Sequence, residues 1–538
     1  MLDTLKKRYR FRVIAPVYPA FNVYSNIASR TTALGPVYVA TVVNKMERWD
    51  AEMIDENNLR CHGPKSKRGG ADHEFLQEQR PADVVGFYGA LTSTIPRIYE
   101  LAHFYKSKGA VTIAGGQHFI EENIPEALAH DIDYIVIGEG EETIRELLEA
   151  IEGKRDITQV KGIVSLRGKE LVRTPAREPL QDFDKLPLPD FSLVRYARIK
   201  IYPVDRIRGC GMDCEFCTVK GKPRPASPKR LLDQIRLLVE TRDARHFFIV
   251  DDLFGQQRAE TLEFCRDIRD YQRDIRLRLD LVAQIRLDKA KDEELLGAMR
   301  QAGINSVAIG LESPIDEELK AMNKHIDPAD MLSNIRIFHK HGFLVHGMFI
   351  FGYPGKDGVS FAMTARERVE RYQRFIRKAR LDTIQVLMPI PLPGTQLRER
   401  LKRQDRVYPL YGLGWEYYDG NFPLFEPDAP LSAKDMQASA QKIMASFYRF
   451  HYVFKIGLNI LLFPGLLFFL GNIKRGWKKW YRPWRNDLVR FMGWIIIKKW
   501  NLNFQKDNFY ENLHSTKMQI MRMPRPRATF LNRSNMER

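Results

Sequence analysis

Arg208-Gly209-Cys210-Gly211-Met212-Asp213-Cys214-Glu215-Phe216-Cys217 is the stretch that decides how this 538-residue chain reads. Three of the five cysteines fall within eight residues here, separated by three and then two positions. That is too close for a disulfide framework in a chain of this size. Three thiolates on a loop after a strand can bind three irons of a cubane. Fe–S clusters normally take four thiolates, so an incomplete set leaves one iron open to a ligand. A structural zinc site would want four ligands, commonly in paired Cys-x-x-Cys spacing, and no second pair or histidine cluster follows. Cys210, Cys214 and Cys217 are therefore read as the ligands of a 4Fe–4S cluster.

On either side of this loop the chain alternates short apolar runs with amphipathic stretches. Upstream, residues 11–15, 51–54, 82–88, 110–114 and 134–137 read as strands, with helices at 37–46, 95–106 and after Gly138-Glu139-Gly140-Glu141. This spacing implies a doubly wound parallel sheet, with ligands at the carboxyl ends of its strands. The joint Leu186-Pro187-Leu188-Pro189-Asp190 separates this unit from a second βα series. Its strands are read at 204–207, 247–250, 277–282, 306–309, 345–351 and 383–387. Six strands in so short a span fit an open, partial barrel better than an eight-fold one, which needs about 250 residues. The expected architecture is thus α/β. A Rossmann-like sheet and linker (1–190) precede a partial (β/α)6 barrel (191–400), an α-rich extension packed on it (401–453) and a tail (454–538).

The Cys-x-x-x-Cys-x-x-Cys pattern with Phe216 before the last cysteine resembles the signature of the radical S-adenosylmethionine (SAM) superfamily. The resemblance implies that the open iron binds the amino and carboxylate groups of SAM. One electron from the cluster then cleaves SAM to methionine and a 5′-deoxyadenosyl radical, which abstracts hydrogen from a substrate. Carried over position by position, it implies SAM contacts at Phe216, at Asp251 or Asp252, at Glu312 in Ile309-Gly310-Leu311-Glu312-Ser313, and at Gly347 and Gly352 in the fifth-strand segment. The usual Gly-Gly-Glu after the second strand is absent. Pro389-Ile390-Pro391-Leu392-Pro393-Gly394-Thr395 matches the sixth-strand end of the cobalamin-linked branch.

Residues 11–152 resemble the cobalamin-binding domain that precedes the barrel in that branch. The resemblance implies that Thr92, Ser93 and Thr94, the turn Gly115-Gly116, and Gly138 with Glu139 wrap the cofactor. The Asp-x-His-x-x-Gly motif that supplies an axial histidine in related domains is missing, so cobalt is expected to lack a protein ligand. His118, beside the glycine turn, reads as an ordinary polar residue.

The formal charge of +18 calls for an anionic partner. Residues 456–473 form an apolar run interrupted by Asn459 and Pro464-Gly465. The window 471–500 then holds nine Lys/Arg against Asp487, with five of the seven tryptophans. Basic and Trp residues flanking an apolar segment form a membrane-interface pattern. The run is at the short limit for a span, so a segment lying in the interface is preferred to a crossing one. Residues 521–527 read as a solvated tail, and the start of the chain lacks the apolar stretch of a secretory signal. A cytoplasmic enzyme peripheral to the membrane is expected, drawing electrons from a flavodoxin or ferredoxin, with nucleic acid set aside as a partner. The expected reaction is cobalamin-dependent C-methylation of an unactivated carbon in a hydrophobic, lipid or isoprenoid-like molecule. The alternatives are oxidation, cyclisation or C–C coupling without cobalamin, or modification of tRNA or peptide.

Overall fold

A computed structural model describes residues 9–59, 63–67, 69–356, 362–470, 473–504 and 507–522; for 463–470, 473–483 and 518–522 it describes only the helical backbone. Cys61, Gly471-Asn472 and residues 523–527 of the expected tail lie outside the described residues. The strands are β1 Tyr9–Ala15, β2 Trp49–Asp55, β3 Val84–Tyr88, β4 Val111–Gly115, β5 Tyr134–Val136, β6 Ile163–Arg167, β7 Glu170–Arg173, β8 Val194–Arg195, β9 Tyr202–Val204, β10 Ile207–Arg208, β11 Arg224–Pro225, β12 His246–Phe254, β13 Asp280–Ile285, β14 Ile304–Glu312, β15 Leu344–Ile350 and β16 Thr383–Leu387.

The first sheet runs β7-β6-β5-β4-β3-β1-β2-β8. From β5 to β8 neighbouring strands are parallel, as apolar strands covered by helices on both faces should be. The sequence reading had no place for β6 and β7, which extend this sheet antiparallel at its edge. Only Gly168 and Lys169 separate the two strands, with Gly168 at φ +64°. A connection this short makes a hairpin, because a parallel crossover needs a dozen or more residues.

The second sheet runs β16-β15-β14-β13-β12-β9, every pair parallel and in chain order, so it curls as an open six-stranded barrel. Side chains alternate across it with the period of two that a strand imposes. In β15, Phe349 packs on Tyr372 and Phe375 of the outer helix Ala365–Ala379, while Met348 faces the inside. Two outer helices begin where local chemistry demands it. Ser227 accepts from the Arg230 N–H with Pro228 in the first turn, and Thr364 with Glu367 forms a capping box. The first barrel strand ends earlier than its apolar run suggests, at Val204. Ile207 belongs instead to the ribbon that β10 makes with β11, antiparallel, with Arg208 opposite Arg224.

Helices Ala433–Phe447, Tyr452–Leu470, Ile473–Phe504 and Phe509–Arg522 follow the barrel among the described residues. The region read as a tail is tied to the barrel: Ile497, Trp500, Phe509 and Leu513 are buried in the core. Arg490 donates from Nη2 to the Leu381 carbonyl at 2.8 Å, and Asn486 donates to Asp382 at 2.6 Å. Among the described residues no helix is long and apolar enough to cross a membrane. β16 is the open edge of the barrel, and Tyr448 closes part of it. Its hydroxyl donates to the Ile384 carbonyl at 2.7 Å and accepts from the Ile384 N–H at 2.9 Å. Each of the two backbone groups left unsatisfied would cost about 1–3 kcal/mol. Tyr448→Phe should therefore speed native-state hydrogen exchange across 383–387; unchanged exchange would show that the bridge contributes nothing.

Candidate active site

The cysteine loop leaves the barrel just after β9 and is pinched at its base by the β10–β11 ribbon. Gly209 takes φ +85°, and a Cβ there would meet the Lys222 carbonyl oxygen at 2.7 Å, so only glycine lets the loop fold back on itself. Cys210, Cys214, Phe216 and Cys217 line one cavity of about 170 Å³. Among the described residues no group of three His, Cys, Asp or Glu converges tightly enough to hold a single metal ion. Burial pushes the Cys214 and Cys217 thiols up from their ordinary value. The charge that would hold them as thiolates is the iron's own.

The loop is clamped from behind by Glu215, which the sequence reading passed over. Its carboxylate accepts a fork from Arg400 (Nε at 2.7 Å, Nη2 at 2.9 Å) and the Tyr353 hydroxyl at 2.7 Å, all buried. Arg400 also donates to the Gly355 carbonyl at 2.7 Å. A bidentate charge-assisted pair of this kind fixes orientation as well as position. The only trace of it in the sequence is a charged residue between two cluster ligands.

Phe216, Asp252 and Glu312 line the cluster cavity, whereas Asp251, Gly347 and Gly352 do not. Asp252 accepts the Gly209 N–H at 2.6 Å. Glu312, at φ +58°, pairs with Lys324 at 2.8 Å. Asp251 points the other way. One of its oxygens takes the N–H groups of Arg206 (2.6 Å) and Ile207 (2.9 Å), and burial pushes its carboxyl up to about 7. The missing side chains at Gly347 and Gly352 would face Leu381 and Met436. Gln284, Arg286 and Lys324 are in the wall and carried no motif in the sequence.

A second cavity, of about 590 Å³, opens at the carboxyl ends of β1, β3, β4 and β5. Gly115, Gly116, Gly138 and Glu139 line it, and at Gly138 (φ +83°) nothing lies within 4 Å of where a side chain would begin, leaving a cradle of bare backbone. Thr92, Ser93 and Thr94 are not in its lining. They are buried, with the short turn Trp415–Tyr417 packed against them. Among the described residues no histidine lines this cavity. His118 is buried edge-on against Trp415, with ring centroids 4.7 Å apart, and burial followed by the nearby Arg398 lowers it to about 3. Asp252 stands in the wall of both cavities. The set of residues fits two organic cofactors held on either side of one barrel mouth.

Family comparison agrees. Residues 204–368 match the radical SAM superfamily model, and residues 23–148 match the B12 binding domain. The chain is a radical SAM enzyme with a B12-binding domain. Those two domains bring with them a 4Fe–4S cluster, SAM and cobalamin as cofactors. An uncharacterized methyltransferase of Pyrococcus horikoshii is 26% identical over 380 residues, 68% of this chain and 77% of that protein. The anaerobic magnesium-protoporphyrin IX monomethyl ester cyclase of Rubrivivax gelatinosus is 26% identical over 389 residues, covering 68% of this chain and 65% of the cyclase. The hopanoid C-2 methylase of Rhodopseudomonas palustris is 25% identical over 282 residues, covering 52% of this chain and 50% of the methylase. Among solved structures, the radical SAM methyltransferase TsrM of Kitasatospora setae, with cobalamin and a [4Fe-4S] cluster bound, superposes with a TM-score of 0.57. It is 19% identical and covers 74% of this chain and 78% of its own. That likeness concerns the fold.

Replacing Cys210, Cys214 and Cys217 together with Ala should leave anaerobically reconstituted enzyme without stoichiometric iron and sulfide. Wild-type iron content in the triple variant would move the cluster elsewhere.

Proposed function

We propose that this radical SAM enzyme methylates an unactivated carbon of a hydrophobic, lipid or isoprenoid-like molecule, using cobalamin. The observation that carries the reading is the adjacency of the two cavities, with Asp252 in both walls. When bound, the cluster supplies the electron that splits SAM to a 5′-deoxyadenosyl radical, and cobalamin supplies the carrier for a methyl group. The chain's own residues orient and enclose. Cys210, Cys214 and Cys217 are assigned to the cluster. Glu312, paired with Lys324, and Asp252, which holds the Gly209 N–H, border the SAM side. The half-buried inner face of the barrel is assigned to the substrate, shut off from dioxygen and stray hydrogen donors that would intercept a radical. Relatives named as methyltransferases support the reaction, and the hopanoid methylase supports the substrate class. The cyclase among the relatives favours a second reading, radical oxidation with ring closure.

Anaerobic enzyme given hydroxocobalamin, a reductant such as reduced flavodoxin or ferredoxin, and methyl-labelled SAM should transfer label into a neutral lipid fraction while releasing 5′-deoxyadenosine. Deoxyadenosine release with lipid conversion but no label transfer would replace methylation by oxidation or cyclisation.

We infer further that the enzyme works on the cytoplasmic face of an anionic membrane. Helix Tyr452–Leu470 turns Phe454, Leu458 and Leu461 to solvent, exposed by 69%, 57% and 77%. Of the basic residues, Lys455 lies on it and Arg449 just before it, and Lys498, from the helix Ile473–Phe504, lines one groove with Arg449 and Phe450. Each cation near such a surface contributes about 1 kcal/mol. Arg490 does not count toward this, being committed to the Leu381 carbonyl. Leu458→Glu with Leu461→Glu should abolish flotation with phosphatidylglycerol vesicles at low salt while leaving cluster content intact. Undiminished flotation would take this helix out of the membrane reading.

A further inference from the structure

Glu139 was expected to touch cobalamin, but its acceptor sites are already full. Oε1 accepts from Arg208 Nη1 at 3.2 Å and Arg224 Nη2 at 2.9 Å; Oε2 accepts from Arg224 Nη1 at 3.0 Å and the Leu180 N–H at 2.7 Å. A carboxylate offers about four such sites, so none is left for an amide of the cofactor.

What Glu139 grips is more informative. Arg208 and Arg224 stand directly opposite each other in the β10–β11 ribbon. They are the two ends of the segment that carries all three cluster cysteines. One carboxylate from the cobalamin side thus holds the cysteine loop at both ends. Arg208 is further fixed by Glu141 at 2.7 Å and by the Phe183 ring, 4.6 Å from the guanidinium. Glu139 stands between Gly138 and Gly140 in the turn after β5, where the backbone itself lines the larger cavity.

The turn therefore borders the larger cavity, with Glu141 and Arg208 in the same wall, while the Glu139 carboxylate is saturated by the two arginines at the base of the cluster loop and by the Leu180 N–H. Because both arginines share this one carboxylate, any displacement of the turn by a ligand would reach both ends of the loop together. The ribbon, two residues long on each side, has little rigidity of its own to resist this.

We propose that Glu139 is a positioning residue that relays occupancy of the cobalamin cavity to the geometry of the cluster loop, independently of any contact with cobalt. This rests on the cavity being the cobalamin site. By linkage, a ligand that favours one geometry of the turn must favour the loop geometry coupled to it.

The test uses the full chain with reconstituted cluster, chemically reduced so that the corrin is diamagnetic cob(I)alamin. The electron paramagnetic resonance signal of the reduced cluster is recorded with and without added hydroxocobalamin. In the wild type its g values should shift on loading. Glu139→Gln, which keeps the shape but sets an amide group against the two guanidinium groups, should retain iron and cobalamin at wild-type stoichiometry and lose the shift. A shift that persists in Glu139→Gln overturns the relay, as does a wild-type cluster that does not respond. Loss of cobalamin from the variant would make Glu139 a contact rather than a relay. If the wild type itself keeps no cobalamin after desalting, the assignment of the cavity fails and the relay with it. Should Glu139→Gln not fold, Arg224→Gln removes one of the two arms while Arg208 stays on Glu141; it should show a reduced shift, and a full one overturns the proposal.

Discussion

The loop that carries Cys210, Cys214 and Cys217 cannot hold itself. Gly209 to Gly221 contributes few apolar side chains, and its internal backbone bonds include Gly211 N–H to the Gly221 carbonyl and Cys217 N–H to the Cys214 carbonyl. Its order comes from charges brought in from elsewhere. Glu215 is forked by Arg400 on one side, and the arginines at the base are forked by Glu139 on the other. Burying charges is costly unless each is fully partnered, and removing one member of a buried pair typically costs 3–5 kcal/mol. Full pairing explains why the loop tolerates burial at all. It also makes the position of the cluster a joint property of the barrel, the N-terminal sheet and the helix Gln396–Arg403.

The same logic separates the two uses of positive charge in a chain of net charge +18. Arginines near the centre are structural and neutralised: Arg12 with Glu52, Arg398 with Glu122, Arg400 with Glu215. Arg398 and Arg400, on the helix Gln396–Arg403, tie the end of the barrel to Glu122 of the N-terminal unit and to Glu215 of the cysteine loop, and Trp415 of the extension donates to Glu126 at 2.8 Å. The surplus therefore belongs to the surface. Near the end of the described chain, exposed Lys498 and Lys499 lie between exposed Ile495 and Leu502 in sequence.

The two sheets meet with the carboxyl ends of their strands toward a common space. Parallel strands deliver their loops to one end, so two such sheets in sequence can present two loop sets to each other. Asp252 at the junction is the sharpest instance: it binds a loop amide and faces both cavities.

Much of this was legible in the sequence because the signals are local. The cysteine spacing, the strand–helix alternation and the glycine turns involve residues a few positions apart, and all appear in the structure near where the pattern puts them. Two misreadings are local as well. The hairpin of β6 and β7 had its turn signal at Gly168, and the start of β13 was set three residues early because an apolar residue, Leu277, precedes it. What sequence alone could not decide is which side chain faces which space. Asp251 and Asp252 are neighbours of the same type, and only the pleat sends one into backbone support and the other into the cavity wall. Thr92, Ser93 and Thr94 carry the right hydroxyls, but Trp415, more than three hundred positions away, comes to lie among their neighbours. Glu139 sits in the right turn, yet its partners Arg208 and Arg224 are 69 and 85 positions on. A sequence motif records which groups are available; tertiary folding decides which are already spent on one another, because a hydrogen-bond acceptor saturated by distant donors has nothing left for a ligand.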